Sequence, residues 1–594
     1  VLRPTGNKKL FEMKLRQLPA VCLLFSALFA HHLSSQTNIL STSPLAEQIL
    51  LGNYDAAEYA PATPTPLYPE VLAAELQAAI SPDSLKAYIL QLAAFRTRNS
   101  GSDTVSETEG IGAARRWAFR KFSEFSAANN SRLIPSYLQF DLAICNAGQH
   151  KNVFAVLPGS IPGSGVVLVE GHMDSRCNLL CDVTCLAEGV EDNATGTALV
   201  LEMARVMSRY QFANTVVFMV TTAEEQGLLG ADAFADYVQS NSIPLRAVLN
   251  NDVIGGILCG ETSSPPSCPG LDHVDSTSVR LFSFGSANSR HKQLARFIKL
   301  EYRENLLPFA AVPMNVRIMS PEDRTGRGGD HIPFRQKGYP AMRFTSANEH
   351  GDASNGTGYT DRQHTSDDVL GADTNGDGAV DSFFVDFNYL ARNTLINANA
   401  LAVAARGIAL PPDFSATRNG TQLNVTFNTA IDTHTIRIAV RSTTTDWDTV
   451  FTISPGFSDE LSCPDMNNVY VSVAGVDYWG AESLFSGEKQ VTLSGAAEPE
   501  RAASNYELYQ NRPNPFDEAT WISFWVNELP PAATEAAIQI SDMNGRMIQT
   551  LPVALKQGLN EVLYTHGYGV RGAFNYALLV GGRLVDARQM IFAN

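Results

Sequence analysis

Three short apolar runs, residues 166–170, 216–220 and 245–249, are rich in β-branched side chains, and each is followed at once by polar residues able to bind a metal. Runs of this length and composition predict buried strands. Between the first two, Leu199, Met203, Val206 and Met207 recur at helical spacing over residues 198–210, with Thr195 or Thr197 available as cap. Strand, helix, strand predicts a βαβ unit and hence a parallel sheet. Upstream, Leu72, Leu76 and Ile80, then Leu85, Tyr88, Ile89 and Leu92, then Ala114, Trp117, Ala118 and Phe122 predict three helices, and residues 137–143 and 152–157 predict strands. Leu390, Leu395, Ala398, Leu401 and Ala405 predict a closing helix over residues 386–407. The period changes after Pro411 and Pro412. Residues 423–427, 435–440 and 469–475 alternate as short strands, and residues 505–594 do so again, which suits two β-sandwiches. The expected fold is therefore α/β, a three-layer, mostly parallel sheet flanked by helices over residues 70–410, followed by two small all-β sandwich domains at 411–496 and 505–594.

Length and charge narrow the picture. At 594 residues the chain exceeds one domain, and its net charge of -17 without any basic cluster argues against nucleic acid as a partner. Within residues 1–36, Met13, Lys14 and Arg16 lead into an apolar run at 18–30 and small residues at Ser34 and Ser35. This predicts an N-terminal extension and signal peptide starting at Met13; the run is short of the roughly 20 residues of a transmembrane anchor. Residues 37–69, rich in Pro, Ala, Thr and Ser and without period, predict a linker or pro-segment. Of 8 cysteines, Cys22 leaves with the signal, and the odd number that remains leaves at least one unpaired or intermolecular. Cys259 with Cys268 is the expected disulfide, and Cys177, Cys181 and Cys185 predict a local disulfide ahead of a zinc site, because no nearby fourth ligand is evident.

His172, Asp174, Asp192, Glu224, Glu225 and Asp252 follow the strand ends or the loop between them, where ligands bind in a parallel sheet. An imidazole with several carboxylates suits a hydrolytic divalent metal, and zinc is the one expected. Two ions about 3.5–4 Å apart need a bridging carboxylate, and Asp192 is the candidate. Adjacent Glu224 and Glu225 must diverge, so that one binds metal while the other faces the bound water as general base. A single acid of this kind is usually a solvated surface group. Convergence at consecutive strand ends, beside Gly171, Gly196 and Gly227, points to a site instead. Further on, Asp373, Asn375, Asp377 and Asp381 alternate like a Ca2+ loop, but Phe384 stands where an EF-hand has Glu, so calcium and a plain acidic turn both stay open.

Gly171-His172-Met173-Asp174, Glu191-Asp192-Asn193-Ala194-Thr195-Gly196, Ala223-Glu224-Glu225-Gln226-Gly227 and Asn251-Asp252 resemble the successive signatures of the M28 family of di-zinc peptidases, which includes the bacterial leucyl aminopeptidases. Asp330-His331 before Pro333-Phe334, and His364-Thr365-Ser366-Asp367-Asp368, continue the resemblance in family order. It implies two Zn2+ held by His172, Asp192, Glu225, Asp252 and His364, with Asp192 bridging. It further implies Glu224 as general base toward a zinc-bridging water, Asp174 as the group orienting His172, and His331 and Asp368 near the site. The implied activity is that of an aminopeptidase acting on peptide or protein substrates. The alternatives are a carboxypeptidase, with Arg324, Arg327 or Arg343 pairing the substrate carboxylate, a dipeptidase or glutaminyl cyclase of the same fold, or a noncatalytic surface-binding protein. Residues 411–496 resemble a fibronectin type III domain, with Phe427 where many have Trp, and a passive spacer is expected. Gln510-Asn511-Arg512-Pro513-Asn514-Pro515-Phe516 and the later Asp542-Met543-Asn544-Gly545-Arg546 resemble the C-terminal sorting domain of the type IX secretion system. That resemblance implies the secretion machinery as a partner and export across the outer membrane, followed by release or surface attachment.

Overall fold

The computed structural model describes residues 36–594 except 258–272, 286–288, 320–321, 323–327, 349–361, 408–413, 420, 428–432, 443, 455–460, 463–467, 493–504, 517–518, 531–533, 543–546, 567–571 and 593–594. In chain order the α/β unit comprises β1 (Thr37–Ser41), α1 (Pro44–Leu50), α2 (Pro69–Ala79), α3 (Pro82–Ala93), α4 (Gly110–Ala128), β2 (Ile134–Ile144), β3 (Ala147–Leu157) and β4 (Val166–His172). It continues with α5 (Thr195–Met207), β5 (Thr215–Thr221), α6 (Leu229–Ser240), β6 (Leu245–Asn251), β7 (Ser278–Phe282), α7 (Arg290–Glu301), β8 (Asn315–Ile318), α8 (His331–Gln336), β9 (Ala341–Ser346) and α9 (Phe387–Arg406). The strands form one sheet in the order β1-β2-β3-β5-β4-β6-β9-β7-β8.

The centre of this sheet is parallel: β5 with β4, β4 with β6, and β6 with β9. On one side β1, β2 and β3 pair antiparallel and β3 meets β5 antiparallel, and on the other β9 pairs antiparallel with β7, itself parallel to β8, so the sheet is mixed and β4, β5 and β6 are the parallel strands that read as apolar runs. Those strands are buried on both faces, the reason they show no alternation. One face packs on α2, α3, α4, α5, α7 and α9 through Leu85, Phe122, Met203, Ile298 and Leu401. The other packs on α1, α6 and α8 through Ile49, Phe234 and Phe334, completing three layers.

Two expectations change. Residues 37–69 are not all linker: β1 pairs with β2, and Ala46, Ile49 and Leu50 are buried. A five-residue strand and a seven-residue helix are too short to show a period among prolines. Nor do Thr195 and Thr197 cap α5: their hydroxyls donate to Glu191 O and His172 O, while Asn193 Oδ1 accepts the Gly196 amide at 2.9 Å.

Beyond α9, strands 414–419, 422–427 and 461–462 form one antiparallel sheet and 435–441, 449–453, 468–476 and 489–492 another, sharing a core of Leu423, Ile438 and Val471. A second pair of sheets, from 506 onward, closes around Ile522, Ile538 and Tyr576. The first pair is docked on the α/β unit: Trp447 and Phe485, with ring centroids 4.2 Å apart, join the core of the larger layer. Glu488 accepts from Arg296 of α7 at 2.9 Å and from Arg441 at 2.8 and 2.7 Å, all three side chains being buried.

Cys177 bonds Cys185, the expected local disulfide, while Cys181 reaches Cys145 at the β2–β3 turn. Cys259, Cys268 and the apolar N-terminal run lie outside the described residues. Among the described residues no helix is long and apolar enough to cross a membrane.

Candidate metal centre

The carboxyl ends of β4, β5 and β6 deliver His172, the Glu224–Glu225 turn and Asp252 to one place, and the loop before α5 brings Asp192 between them. Close backbone approach makes this possible. A Cβ on Gly196 would stand 2.3 Å from Asn251 O, and one on Gly171 2.9 Å from the Gly196 carbonyl carbon. Ala223, Val253 and His364 sit at φ of 58°, 46° and 60°, a left-handed conformation costly for side chains such as valine, so the surrounding packing must impose it.

The ligand-type atoms fall into two triads. His172 Nε2 lies 3.1 Å from Asp192 Oδ1 and 3.3 Å from Asp252 Oδ1. His364 Nε2 lies 3.0 Å from Asp192 Oδ2 and 3.2 Å from Glu225 Oε2. Asp192 thus offers one oxygen to each triad, and Glu225 Oε1 is buried without a hydrogen-bond partner. Two imidazoles and three carboxylates, converging with an orphaned oxygen, form a donor set that fits zinc.

The surrounding charge is consistent with a cation. Burial pushes the His172 imidazole down, but Glu224, Asp252, Asp174 and Asp192 hold it well above its ordinary range. For His364, Glu225 and Asp192 likewise outweigh burial and lift it to about 9. Burial, and then the carboxylates Asp252, Asp330 and Glu225, raise the Glu224 carboxyl well above its usual range against the pull of His172. Asp330, pushed up mainly by burial to about 7, accepts from the Thr221 hydroxyl.

The second layer of contacts positions these groups. His172 Nδ1 is 3.1 Å from the Asp174 carbonyl and 3.6 Å from its carboxylate, so the backbone makes the nearer contact. The Asp174 carboxylate instead accepts the amides of Glu224 (3.2 Å) and Glu225 (3.3 Å) and the Ser100 hydroxyl (3.2 Å), fixing the turn that presents both glutamates. Asp368 accepts the amides of Glu191 at 2.8 Å and Asp192 at 3.0 Å. His331 is fully buried on α8. Arg343, also fully buried, pairs with Asp252 Oδ2 at 3.1 Å. Arg324 and Arg327 lie outside the described residues.

Sequence reasoning overlooked Arg98, whose guanidinium ties Met173 O to Gly189 O, and Arg176, which contacts Glu225 and His364. A basic residue four positions past His172 was the available signal. In the acidic loop, Asp373 accepts the Gly376 and Gly378 amides and Asp381 the Thr374 hydroxyl, and its acids are absent from the converging groups among the described residues. A cavity of about 300 Å³ lined by Pro244, Leu245, Pro340 and Phe485 opens at the opposite, amino end of β6 and β9 and is lined by no acid or histidine.

Residues 152–382 match the family described as Peptidase family M28. A probable zinc metalloprotease of Leptosphaeria maculans is 30% identical over 387 residues, covering 61% of this chain and 84% of the relative. One of Pyricularia oryzae is 31% identical over 407 residues, covering 64% and 78%. Among solved structures, the LapA aminopeptidase of Legionella pneumophila is similar at 18% identity and a TM-score of 0.41, over 57% of this chain and 76% of that one. With the matched region spanning β3 to the acidic loop and so containing both triads, the chain belongs to peptidase family M28 and is a zinc metallopeptidase.

Proposed function

We propose that this metallopeptidase is an exported aminopeptidase with two zinc ions, one held by His172, Asp192 and Asp252 and the other by Asp192, Glu225 and His364. The observation that carries the two-ion reading is the division of the Asp192 oxygens between the two imidazoles, at 3.1 and 3.0 Å. Bound there, zinc polarises the scissile carbonyl and acidifies water.

The chain's own residues do the rest. Asp174 fixes the amide of Glu224, and with it the turn that holds that carboxylate within the field of His172 and Asp252. Glu224 takes the proton of the attacking water and returns it to the departing amine, a task suited by a carboxyl whose affinity for protons is raised by burial and neighbouring acids. Asp368 and Arg98 hold the loop of Asp192 against the end of β4, so the shared carboxylate keeps its place. A free α-ammonium is attracted to surroundings so rich in Asp and Glu. Arg343, the described member of the three arginines that could favour a C-terminal carboxylate, is occupied by Asp252 and the Gly328 carbonyl. Carboxypeptidase action is the second reading, favoured by one observation: the Arg176 guanidinium stands beside Glu225 at the partly exposed rim.

Export is supported by the N-terminal apolar run, by two disulfides, and by the resemblance of residues 505–594 to a type IX sorting domain. Residues 411–496 serve as a docked β-sandwich, closer to a buttress than a spacer, given Glu488 and Trp447.

The test is cleavage of a good peptide substrate, of its N-acetylated form and of its C-terminal amide, with and without chelator. Acetylation should abolish cleavage and amidation should not; the reverse pattern identifies a carboxypeptidase. Glu224→Gln should retain zinc and lose about 10²–10⁴-fold in kcat, and wild-type turnover would refute its role as base.

A further inference from the structure

We propose that the cavity at the seam between the α/β unit and the first β-sandwich binds a small monocarboxylate with an apolar tail, which fastens the two units together. The site is independent of the catalytic reading above.

The cavity measures about 300 Å³ and lies at the amino ends of β6 and β9, away from the metal ligands that follow the carboxyl ends of the sheet. Its walls come from both units: Leu245, Leu294 and Ala404 from the α/β unit, Leu484 and Phe485 from the sandwich. Apolar walls hold water poorly, and a seam between units is a common place for a ligand. The volume suits a molecule of about 10–15 non-hydrogen atoms, the small end of ordinary ligand sites.

Charge selects the head group. Arg246 of β6 and Arg290, the first residue of α7, both line the cavity. Among the described residues, Arg246 donates to Ser164 O and Arg290 to Gly338 O at 3.3 Å, and neither guanidinium has a carboxylate partner. Neighbouring arginines differ: Arg296 reaches Glu488 at 2.9 Å, and Arg335 reaches Glu322 at 2.6 Å. Arg246 is half-buried, and burial lowers its guanidinium with no acid to offset the cost. In a chain of net charge -17, two cations without counter-charge on one cavity call for an anion. Most of their N–H groups are uncommitted, so a carboxylate can be received by paired hydrogen bonds. Gln293, 3% exposed, gives its Oε1 to Arg296 and one Nε2 hydrogen to Ser486 O at 3.0 Å, which leaves a further donor. The first turn of α7 adds the positive end of a 12-residue helix.

The tail must be uncharged. Among the described residues neither acid nor histidine lines the cavity, so the ammonium of a free amino acid would meet no counter-charge there. An alkanoate or an N-acylated amino acid carries no such group.

A ligand here acts on the seam. Phe485 packs on Trp447 with centroids 4.2 Å apart, and Glu488, the residue after Gly487 of the cavity wall, holds Arg296. Filling the cavity adds contacts that exist only while the sandwich is docked, so binding stabilises the docked form.

The experiment is titration calorimetry and scanning calorimetry of the full chain with sodium octanoate and N-acetylleucine, and with octanol, octylamine and leucine as controls. One carboxylate per chain should bind, about 10-fold or more tighter than octanol, with octylamine and leucine inert. At 100 times Kd the main transition should rise by about 5 °C, and amide exchange should slow at residues 245–246 and 484–487. R246Q and R290Q should each weaken binding about 10-fold or more. Arg290 is exposed, so R290Q carries the test if R246Q does not fold. Tighter binding of octanoate assigns the site to fatty acids, tighter binding of N-acetylleucine to acylated amino acids; either supports the proposal. No binding of either carboxylate at millimolar concentration overturns it. So do octylamine or octanol binding as tightly as octanoate, protection that falls elsewhere in the chain, or a folded R290Q with wild-type affinity.

Discussion

Replacing Glu488 by Gln tests whether the first β-sandwich is part of the folded peptidase or a passive attachment. The carboxylate sits between two guanidiniums, receiving one bond from Arg296 of α7 and two from Arg441 of the sandwich. Glu488 is 1% exposed at its side chain and both arginines 3%. Gln keeps the shape and one acceptor but removes the charge and turns an amide N–H2 toward a guanidinium. Two buried cations then lose their counter-charge, and breaking a buried pair in this way costs about 3–5 kcal/mol. Because both ion pairs depend on one side chain, their losses are not added. At about 2 °C per kcal/mol for a unit of this size, calorimetry should show the main transition falling by roughly 6–10 °C. Amide exchange should rise in strands 435–441 and 468–476, while kcat at 20 °C stays within about twofold, since Glu488 belongs to neither triad. A midpoint within about 1 °C of wild type, with unchanged exchange, would refute the reasoning. A shift confined to a separate, smaller transition would restore the spacer.

Asp192→Asn should lower bound zinc below two ions per chain by elemental analysis, and a full complement would sink the bridging assignment. Glu301 of α7 meets Glu482 of the sandwich: burial, then each other's charge, holds Glu301 well above the usual carboxyl range, and burial, against Arg437, lifts Glu482 to about 7. The folded pair keeps a proton that the unfolded chain releases near its ordinary value of about 4.3, so its contribution is full below that pH and declines as pH rises through about 7; Glu482→Gln should flatten the fall in melting temperature between pH 5 and 8, and an unaltered slope would count against the pair. Deleting residues 505–594 exposes Phe284, which packs on Trp521 with centroids 5.2 Å apart, but leaves both triads intact. Turnover should persist while the native host retains the protein in the periplasm; normal amounts outside the cell would refute the sorting proposal.

The sequence by itself determined the parallel centre of the sheet and the residues clustered at its carboxyl edge. Strands buried on both faces must be continuously apolar, and the polar residue that ends such a run must sit at the sheet edge, so His172, Glu224, Glu225 and Asp252 were legible one strand at a time. Short or proline-flanked elements, β1 and α1, were not, because five or seven residues carry no measurable period. Only the tertiary structure decided how the ligands group. That Asp192 faces both imidazoles depends on a loop held by Asp368, whose amide contacts span 176 and 177 residues of chain. The Arg176–His364 contact spans 188, the Glu488–Arg296 contact 192, and Cys181 chose Cys145 at a separation of 36 over either near neighbour. Local patterning specifies which residues turn inward and which end a strand; partners this distant are set by how whole layers pack, and no window of sequence contains that information.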